Sequence, residues 1–513
     1  MKILKFPFYL LVMAAYPVVA LLSFNIKEVD WRVMVRPLLI SLSGSLILFC
    51  ILRWLLKDWH KAGLTTAGIL FLFFTYGHVY NLLEQTPIFG MNLGRHRYLA
   101  FVYTACLLLG MWLLGKIKRP QDATPILNGA GLVMILIPLV QITTHLWRAD
   151  THQRETAAVY SSSAPLLEAS VKPLPDIYYI ILDSHTRSDA LLADFGYDNT
   201  AFLENLRTMG LFVTDCSRSN YTTTQDSLIS TLNMDYVDKL VGDLQELNLG
   251  DDQWILVRQS RVRRMLEELG YKTFSFDSGF EWSRLKDADT YLSLGSESAM
   301  LQMITPFEAM LFKSTAGLIL SDSQNKVIRS QFEPLNFTWG DHVNAQRFIL
   351  DQLPTLPDYP GPKFVFVHIL IPHQPFVFQP NGEIVTDPRF YDGDRWLPSE
   401  PSLINEGYTN QVAYIDQAIS EVLAEIISKS SPPPVIFMHG DHGWIDQNRL
   451  LILSAYYLPG QDLSLVYPTI SPVNSFRVIF NTYFGTDYEL LPDISYNAEY
   501  QAVPETSPAC LAP

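Results

Sequence analysis

Five apolar stretches crowd into the first 150 or so residues, and they constrain the fold of this chain more than any other feature. Phe6–Phe24, Met34–Leu56, Gly63–Leu83, Tyr98–Leu114 and Pro125–Leu146 each approach the ~20 residues needed to cross a ~30 Å hydrocarbon core. Lys2 and Lys5 ahead of the first stretch would also suit a cleaved signal peptide, but four further spans follow it. Lys2, Lys5, Arg53, Lys57, Lys61, Lys116, Lys118 and Arg119 fall on one side of the alternating spans, against Lys27, Arg32, Arg95 and Arg97 on the other. The excess of basic residues on the first side puts the amino terminus in the cytoplasm, and five crossings then place the carboxyl-terminal part outside. His78, Asn81 and Glu84 either line a head-group path or mark one end of the third span meeting water.

At 513 residues the chain exceeds one ordinary core, so more than one domain is expected. Hydrophobic residues make up 48% although the net charge is −15, because the apolar residues sit in front and most of the acidic ones behind. An acidic exported part excludes nucleic acid as a partner. Cys50 and Cys106 fall in spans. Cys216 and Cys510 are exported, where a disulfide is permitted, but their distant positions give no reason to pair them. Residues 149–175 read as a linker, with Ser161-Ser162-Ser163 and with Pro173 and Pro175.

From residue 176 to 513 the texture is that of an α/β domain. Ile177–Leu182 and Lys363–Leu370 are continuous apolar runs of the kind buried on both faces of a parallel sheet. Val435–Met438, after Pro432-Pro433-Pro434, is a third. The first ends in Asp183, the second leads to His373, and the third runs into His439-Gly440-Asp441-His442-Gly443. Helices are expected over Val257–Leu269 and Glu406–Ser428, a strand over Tyr271–Phe276, and helical insertions over the site between Ser278 and Pro334. Strand ends are where open α/β sheets place their sites. The glycines would let the backbone turn so that Asp441 and His442 converge as an oxygen–nitrogen ligand pair. On spacing alone, a polar turn closing a strand fits equally well. Ser219–Leu228 leads into an apolar helix with Thr224 at its start. Thr224 is either the N-cap or a hydroxyl facing the positive helix end, where phosphate binds and a metal would make it nucleophilic.

Taken in order, these features resemble the alkaline phosphatase superfamily. They are strand–Asp183, a threonine at a helix start, His368 and His373 about a strand end, and Asp441-His442-Gly443. The closer resemblance is to its sulfatase-like membrane branch of lipoteichoic acid synthases and lipid A phosphoethanolamine transferases. The resemblance implies an amino-terminal bundle of about five transmembrane helices (residues 1–148) and an exported sulfatase-like three-layer α/β/α domain (residues 176–513). It implies Asp183, Thr224, Asp441 and His442 as metal ligands and Thr224 as nucleophile. His373 would handle the head group or leaving group, and His368, Asn220 and Thr223 would contact substrate. The family's usual Glu is replaced by Asp183. Cys216-Ser217-Arg218 lacks the proline and arginine spacing of a formylglycine motif, and no histidine follows His442. One divalent metal, zinc or manganese, is therefore expected.

The expected function is metal-dependent transfer of a phospho-substituent, of the phosphoethanolamine or phosphoglycerol type, to or from an envelope lipid or lipid-linked glycan. It would proceed through a covalent threonine intermediate. The alternatives are a phosphoester or sulfate-ester hydrolase of the same superfamily, or a non-catalytic envelope protein. The expected location is a bacterial-type inner membrane, multi-pass, with the catalytic domain extracytoplasmic. A reporter that works only outside the cytoplasm, fused after Pro513, should be active; activity there of a reporter that works only in the cytoplasm would overturn this topology.

Overall fold

The computed structural model describes the chain except for residues 1–5, 27–28, 30, 86–94, 162–172, 244–252, 281–282, 295–304, 322–338, 392–397, 399, 461–464, 506–509 and 511–513. Its contacts divide the chain into two compact units, Met1–Arg148 with Glu297–Gly340, and Ala149–Ser296 with Asp341–Pro513.

The apolar stretches fold as helices α1 (Tyr9–Asn25), α2 (Val35–Leu56), α3 (Trp59–Gln85), α4 (His96–Lys116) and α5 (Ala123–Ser161). Four segments, Trp31–Leu56, Trp59–Leu83, His96–Lys116 and Pro120–Arg148, are long and apolar enough to cross a membrane. The first helix has 17 residues and reaches only about 26 Å at 1.5 Å per residue, so the expected count of five is approximate. Side chains such as Phe101, 75% exposed on α4, form an apolar surface that lipid suits better than water. Helix α5 continues past the end of the fifth stretch into the expected linker, most of whose remainder lies outside the described residues.

The second unit is built on a seven-stranded sheet in the order β2-β7-β6-β1-β5-β3-β4. The strands are β1 (Ile177–Leu182), β2 (Phe212–Val213), β3 (Lys272–Phe276), β4 (Thr290–Leu292), β5 (Lys363–Ile369), β6 (Val435–His439) and β7 (Ser454–Tyr457). The central pairings β6-β1-β5-β3-β4 are parallel, whereas β7 runs antiparallel to both β6 and β2. Every residue of β1, β5 and β6 is buried, which is why these strands read as unbroken apolar runs. On one face Ile177, Tyr179 and Ile181 pack into a core with Ile229, Leu232, Phe476 and Phe480, each worth roughly 1.5–3 kcal/mol of burial.

The helices in chain order are α6 (Ser188–Phe195), α7 (Thr200–Thr208), α8 (Thr224–Asn233), α9 (Val237–Asp243), α10 (Ile255–Arg258) and α11 (Arg261–Glu268). They are followed by α12 (Pro306–Lys313), α13 (Leu318–Ser321), α14 (Trp339–Gln352), α15 (Pro401–Lys429) and α16 (Pro472–Phe484). Two expectations need correcting. The single helix over Val257–Leu269 is two, because Ser260 interrupts it and caps α11 by accepting from the Arg263 N–H. The stretch Ser278–Pro334 is not helical throughout its described residues. It contributes β4, and its described helices α12 and α13 belong to the first unit. The exported domain expected as one contiguous run from 176 to 513 is therefore interrupted.

Candidate active site

Three strands end together. In the parallel register Ile181 on β1 lies opposite His368 on β5 and His439 on β6. Two residues on, Asp183 and Asp441 emerge side by side, and His368 lies in the adjoining strand. Asp183, His368 and Asp441 each offer a ligand atom, all within 4.8 Å of one another.

The turn after β1 holds this geometry. Ser184 has φ +63°, a left-handed conformation that costs a non-glycine residue energy and is kept only when its surroundings fix it. Here its N–H donates to Asp441 Oδ1 (2.9 Å) and its hydroxyl to Asp183 Oδ1 (3.0 Å). The glycines of the second loop act by close approach rather than by unusual dihedrals. A Cβ on Gly440 would lie 2.3 Å from the His185 carbonyl oxygen, and one on Gly443 would lie 2.6 Å from that of Asn448.

His442 Nδ1 lies 3.0 Å from the Gly443 carbonyl. With the proton there, Nε2 is left as an acceptor, 3.5 Å from Asp441 Oδ2 and 4.0 Å from Asp183 Oδ1. Burial lowers the His442 pKa against the pull of Asp441 and Asp183, which keeps the imidazole neutral as a ligand must be. Burial opposes ionisation of Asp183, but His373, His368 and His442 outweigh it and hold the carboxyl below its usual range.

The threonine run resolves differently from the sequence expectation. Thr223 is the N-cap of α8, its hydroxyl oxygen accepting from the Asp226 N–H at 3.2 Å. Thr223 is therefore the cap of this helix. Thr224 is the first helical residue, not the cap, and its Oγ1 lies 3.2 Å from His442 Nε2. Asn220, also expected to meet substrate, is buried and committed elsewhere. Its amide donates to Ser471 Oγ and the Ile494 carbonyl and accepts from the Val473 N–H. His368, expected at the substrate, joins the candidate ligand group, 3.3 Å from Asp183 Oδ2. His373 is half-buried at the rim, its ring edge-on to Trp444.

Two residues near the site carried no signal in the sequence. Arg449 donates from Nε to the Thr222 carbonyl (2.6 Å) and sets Nη2 3.4 Å from His442 Nε2. His342 on α14 has a buried Nε2 without a hydrogen-bond partner among the described residues, and burial pushes its pKa down to about 3. Cys216 and Cys510 form a disulfide. It fastens a carboxyl-terminal stretch that also pairs with the start of α8 and the loop before it, through Tyr496 N–H to the Asn220 carbonyl and Tyr500 hydroxyl to Asp226.

The donor set suits a divalent cation. Asp441 Oδ2 is buried with no hydrogen-bond partner among the described residues, a costly state for an anionic oxygen unless a cation meets it. Two carboxylates, imidazole nitrogen and a hydroxyl are donors of the kind that zinc and manganese both accept. Elemental analysis of purified protein should find about one equivalent, and Asp441→Ala should lose most of it; undiminished occupancy would remove Asp441 from the ligand set. Thr223→Ala should lower stability by ~1 kcal/mol of capping in thermal unfolding, whereas Thr224→Ala should not. Equal losses in the two variants would contradict this placement of the cap.

A family model described as Sulfatase matches residues 175–456, more than half of the chain. No curated protein matches it. Among solved structures, the zinc complex of the periplasmic domain of EptC from Escherichia coli is similar at 15% identity and a TM-score of 0.40, covering 62% of this chain and 85% of that one. The integral membrane lipooligosaccharide phosphoethanolamine transferase A of Neisseria meningitidis has 11% identity and a TM-score of 0.38, covering 92% and 94%. The lipoteichoic acid synthase LtaP of Listeria monocytogenes has 14% identity and a TM-score of 0.32, covering 64% and 77%. By the match over residues 175–456, the chain belongs to the sulfatase family.

Proposed function

We propose that this protein is a membrane-anchored transferase. It moves a phospho-substituent, of the phosphoethanolamine or phosphoglycerol type, to or from an envelope lipid or lipid-linked glycan through a phosphorylated Thr224. The observation that carries this reading is the position of Thr224. Its Oγ1 has no capping duty and lies beside His442 Nε2, at the start of a 10-residue helix whose free N–H groups favour an anion. A sulfatase acting through formylglycine would need a free cysteine or serine in its motif, and Cys216 is tied in a disulfide.

Asp183, Asp441 and His442, with Thr224, are the proposed ligands of one divalent metal, and the geometry adds His368 to them. When bound, that metal would acidify the threonine hydroxyl and offset negative charge on the phosphoryl oxygens. Thr224 Oγ attacks phosphorus, and the Oγ–P bond forms as the bond to the leaving oxygen breaks. The hydroxyl proton goes to solvent and His373 supplies one to the leaving oxygen. In the second half an acceptor hydroxyl attacks the same phosphorus and gives its proton to His373, while the Oγ–P bond breaks and Thr224 Oγ takes back a proton from solvent. Arg449 holds the phosphoryl oxygens. With His442 Nε2 engaged as a ligand, the Arg449 Nη2 that now faces it is left to donate to the substrate. The enzyme belongs in a bacterial-type plasma membrane, with its catalytic unit on the extracytoplasmic side where envelope lipids are modified, a reading that the candidate spans support.

Full-length protein incubated with vesicles of phosphatidylethanolamine and phosphatidylglycerol should gain a mass on the peptide holding Thr224, and that mass would name the group. Thr224→Ala should lose both adduct and turnover. Arg449→Ala should lose roughly ten- to hundredfold in kcat/KM, the ~1.5–3 kcal/mol of a charge-assisted hydrogen bond. Full turnover by Thr224→Ala would end the covalent mechanism. Transfer of the group only to water would identify the hydrolase instead.

A further inference from the structure

The stretch Thr305–Leu320 lies inside the region matched by the sulfatase family model, yet it folds with the apolar helices of the first unit. Phe307 is buried in one cluster with Val18, Val19, Leu22 and Ile142. Glu308 closes a capping box with Thr305 at the start of α12 and pairs with Arg36 at the start of α2.

The turn between α12 and α13 meets α3 backbone to backbone. The Gly77 N–H donates to the Ser314 carbonyl (3.1 Å), and the Ala316 N–H donates to the Phe73 carbonyl (2.8 Å). Phe73 and Gly77 are the i and i+4 pair that bond one another in an uninterrupted helix. Only glycine permits this approach, since a Cβ on residue 77 would lie 2.1 Å from the Lys313 carbonyl oxygen. The remaining polar groups of the turn satisfy one another. Ser314 Oγ donates to the Leu311 carbonyl and Thr315 Oγ1 to that of Phe312, while the Gly317 N–H donates to Thr315 Oγ1.

Water would meet these demands without such an arrangement. Non-helical backbone at membrane depth survives only where protein partners, including Ser and Thr side chains, take up its polar groups. Depth points the same way. Gly77 lies six residues before the end of the candidate span Trp59–Leu83, about 9 Å along the helix at 1.5 Å per residue. Meanwhile Met310 and Leu320 are each 41% exposed, a poor state for two large apolar side chains in water. Lys313 has an aliphatic stem long enough to carry its ammonium toward the head groups.

We propose that Thr305–Leu320 is a re-entrant hairpin embedded in the lipid bilayer beside α3, with Met310 and Leu320 facing acyl chains. A segment within the sulfatase-family region is then itself a lipid-contacting element. This inference does not depend on the transfer reaction.

The test uses full-length protein with Cys50→Ser and Cys106→Ser, keeping the Cys216–Cys510 bridge, in vesicles of phosphatidylethanolamine and phosphatidylglycerol. Met310→Cys and Leu320→Cys are spin-labelled, and their collisions with oxygen and with a water-soluble nickel chelate are compared. Leu109→Cys on α4 serves as the lipid reference and Leu192→Cys on α6 as the aqueous one. Both hairpin labels should match Leu109→Cys, oxygen-accessible and shielded from nickel; values matching Leu192→Cys would overturn the proposal. Adding Gly77→Val should shift both labels toward nickel, because the side chain displaces Lys313 and Ser314. Labels unmoved by it would remove the backbone clasp from the account, and if that variant does not fold, the two label positions decide alone.

Discussion

The site depends on one constraint, the parallel register in which β1 is clamped between β5 and β6. Because Ile181 pairs with both His368 and His439, two carboxylates leave the sheet at the same height and face each other across one strand spacing. A slip of one residue would turn every side chain of a strand to the opposite face. The full burial of β1, β5 and β6 penalises such a slip and pins the chemistry along with the core. Two buried carboxylates this close repel each other unless a cation lies between them, so register and metal affinity are coupled: the protein that folds is the protein that binds.

What the sequence disclosed followed from how strongly each element is determined locally. Buried parallel strands announce themselves as short apolar runs, so Asp183 and Asp441 were legible as strand-end carboxylates. The cap is Thr223 and not Thr224, and the sequence holds a signal for it. Thr223-x-x-Asp226 has the spacing of a capping box, and it marks Thr223 as the cap and Thr224 as the first helical residue. His368 reads as one more residue of a fully buried strand, and only the pairing with β1 shows which way it faces. Arg449 sits in an irregular loop after the glycines, where no periodicity speaks. The Cys216–Cys510 pair, separated by 294 residues, is a product of tertiary folding that spacing does not encode. The hairpin after Thr305 did carry a signal, since PFEAMLF and AGLIL are as apolar as the spans; its brevity hid it among insertions.

A single helix supports the loops that the strands leave irregular. From α15, Tyr408 donates its hydroxyl to the Ser184 carbonyl at 2.8 Å. Gln411 Nε2 donates to the His373 carbonyl at 2.9 Å, and Asp416 Oδ1 lies 2.7 Å from His185 Nε2. All three are buried and fall within little more than two turns of one face. Burial raises the Asp416 pKa, against the pull of His185, so the pair gains little as a salt bridge. Its worth is positional: it fixes His185, whose carbonyl is the atom that Gly440 must approach. The strained φ of Ser184, the backbone at His373 and the loop holding Gly440 are thus referred to one rigid rod.

The overall charge of −15 is the wrong sign for the phosphoester proposed as substrate. Screening removes most of that difficulty, because at physiological ionic strength fields from exposed charges fade over about 8 Å. Close to Thr224, positive groups stand beside the carboxylates Asp183, Asp226 and Asp441. The amino-terminal end of α8 contributes a partial positive charge. The Arg449 guanidinium lies against His442, and a divalent cation among Asp183, His368 and Asp441 would cancel the two carboxylate charges. A phosphodiester already concentrated in the plane of a membrane needs no long-range attraction to find the site. An acidic exterior then costs the enzyme little.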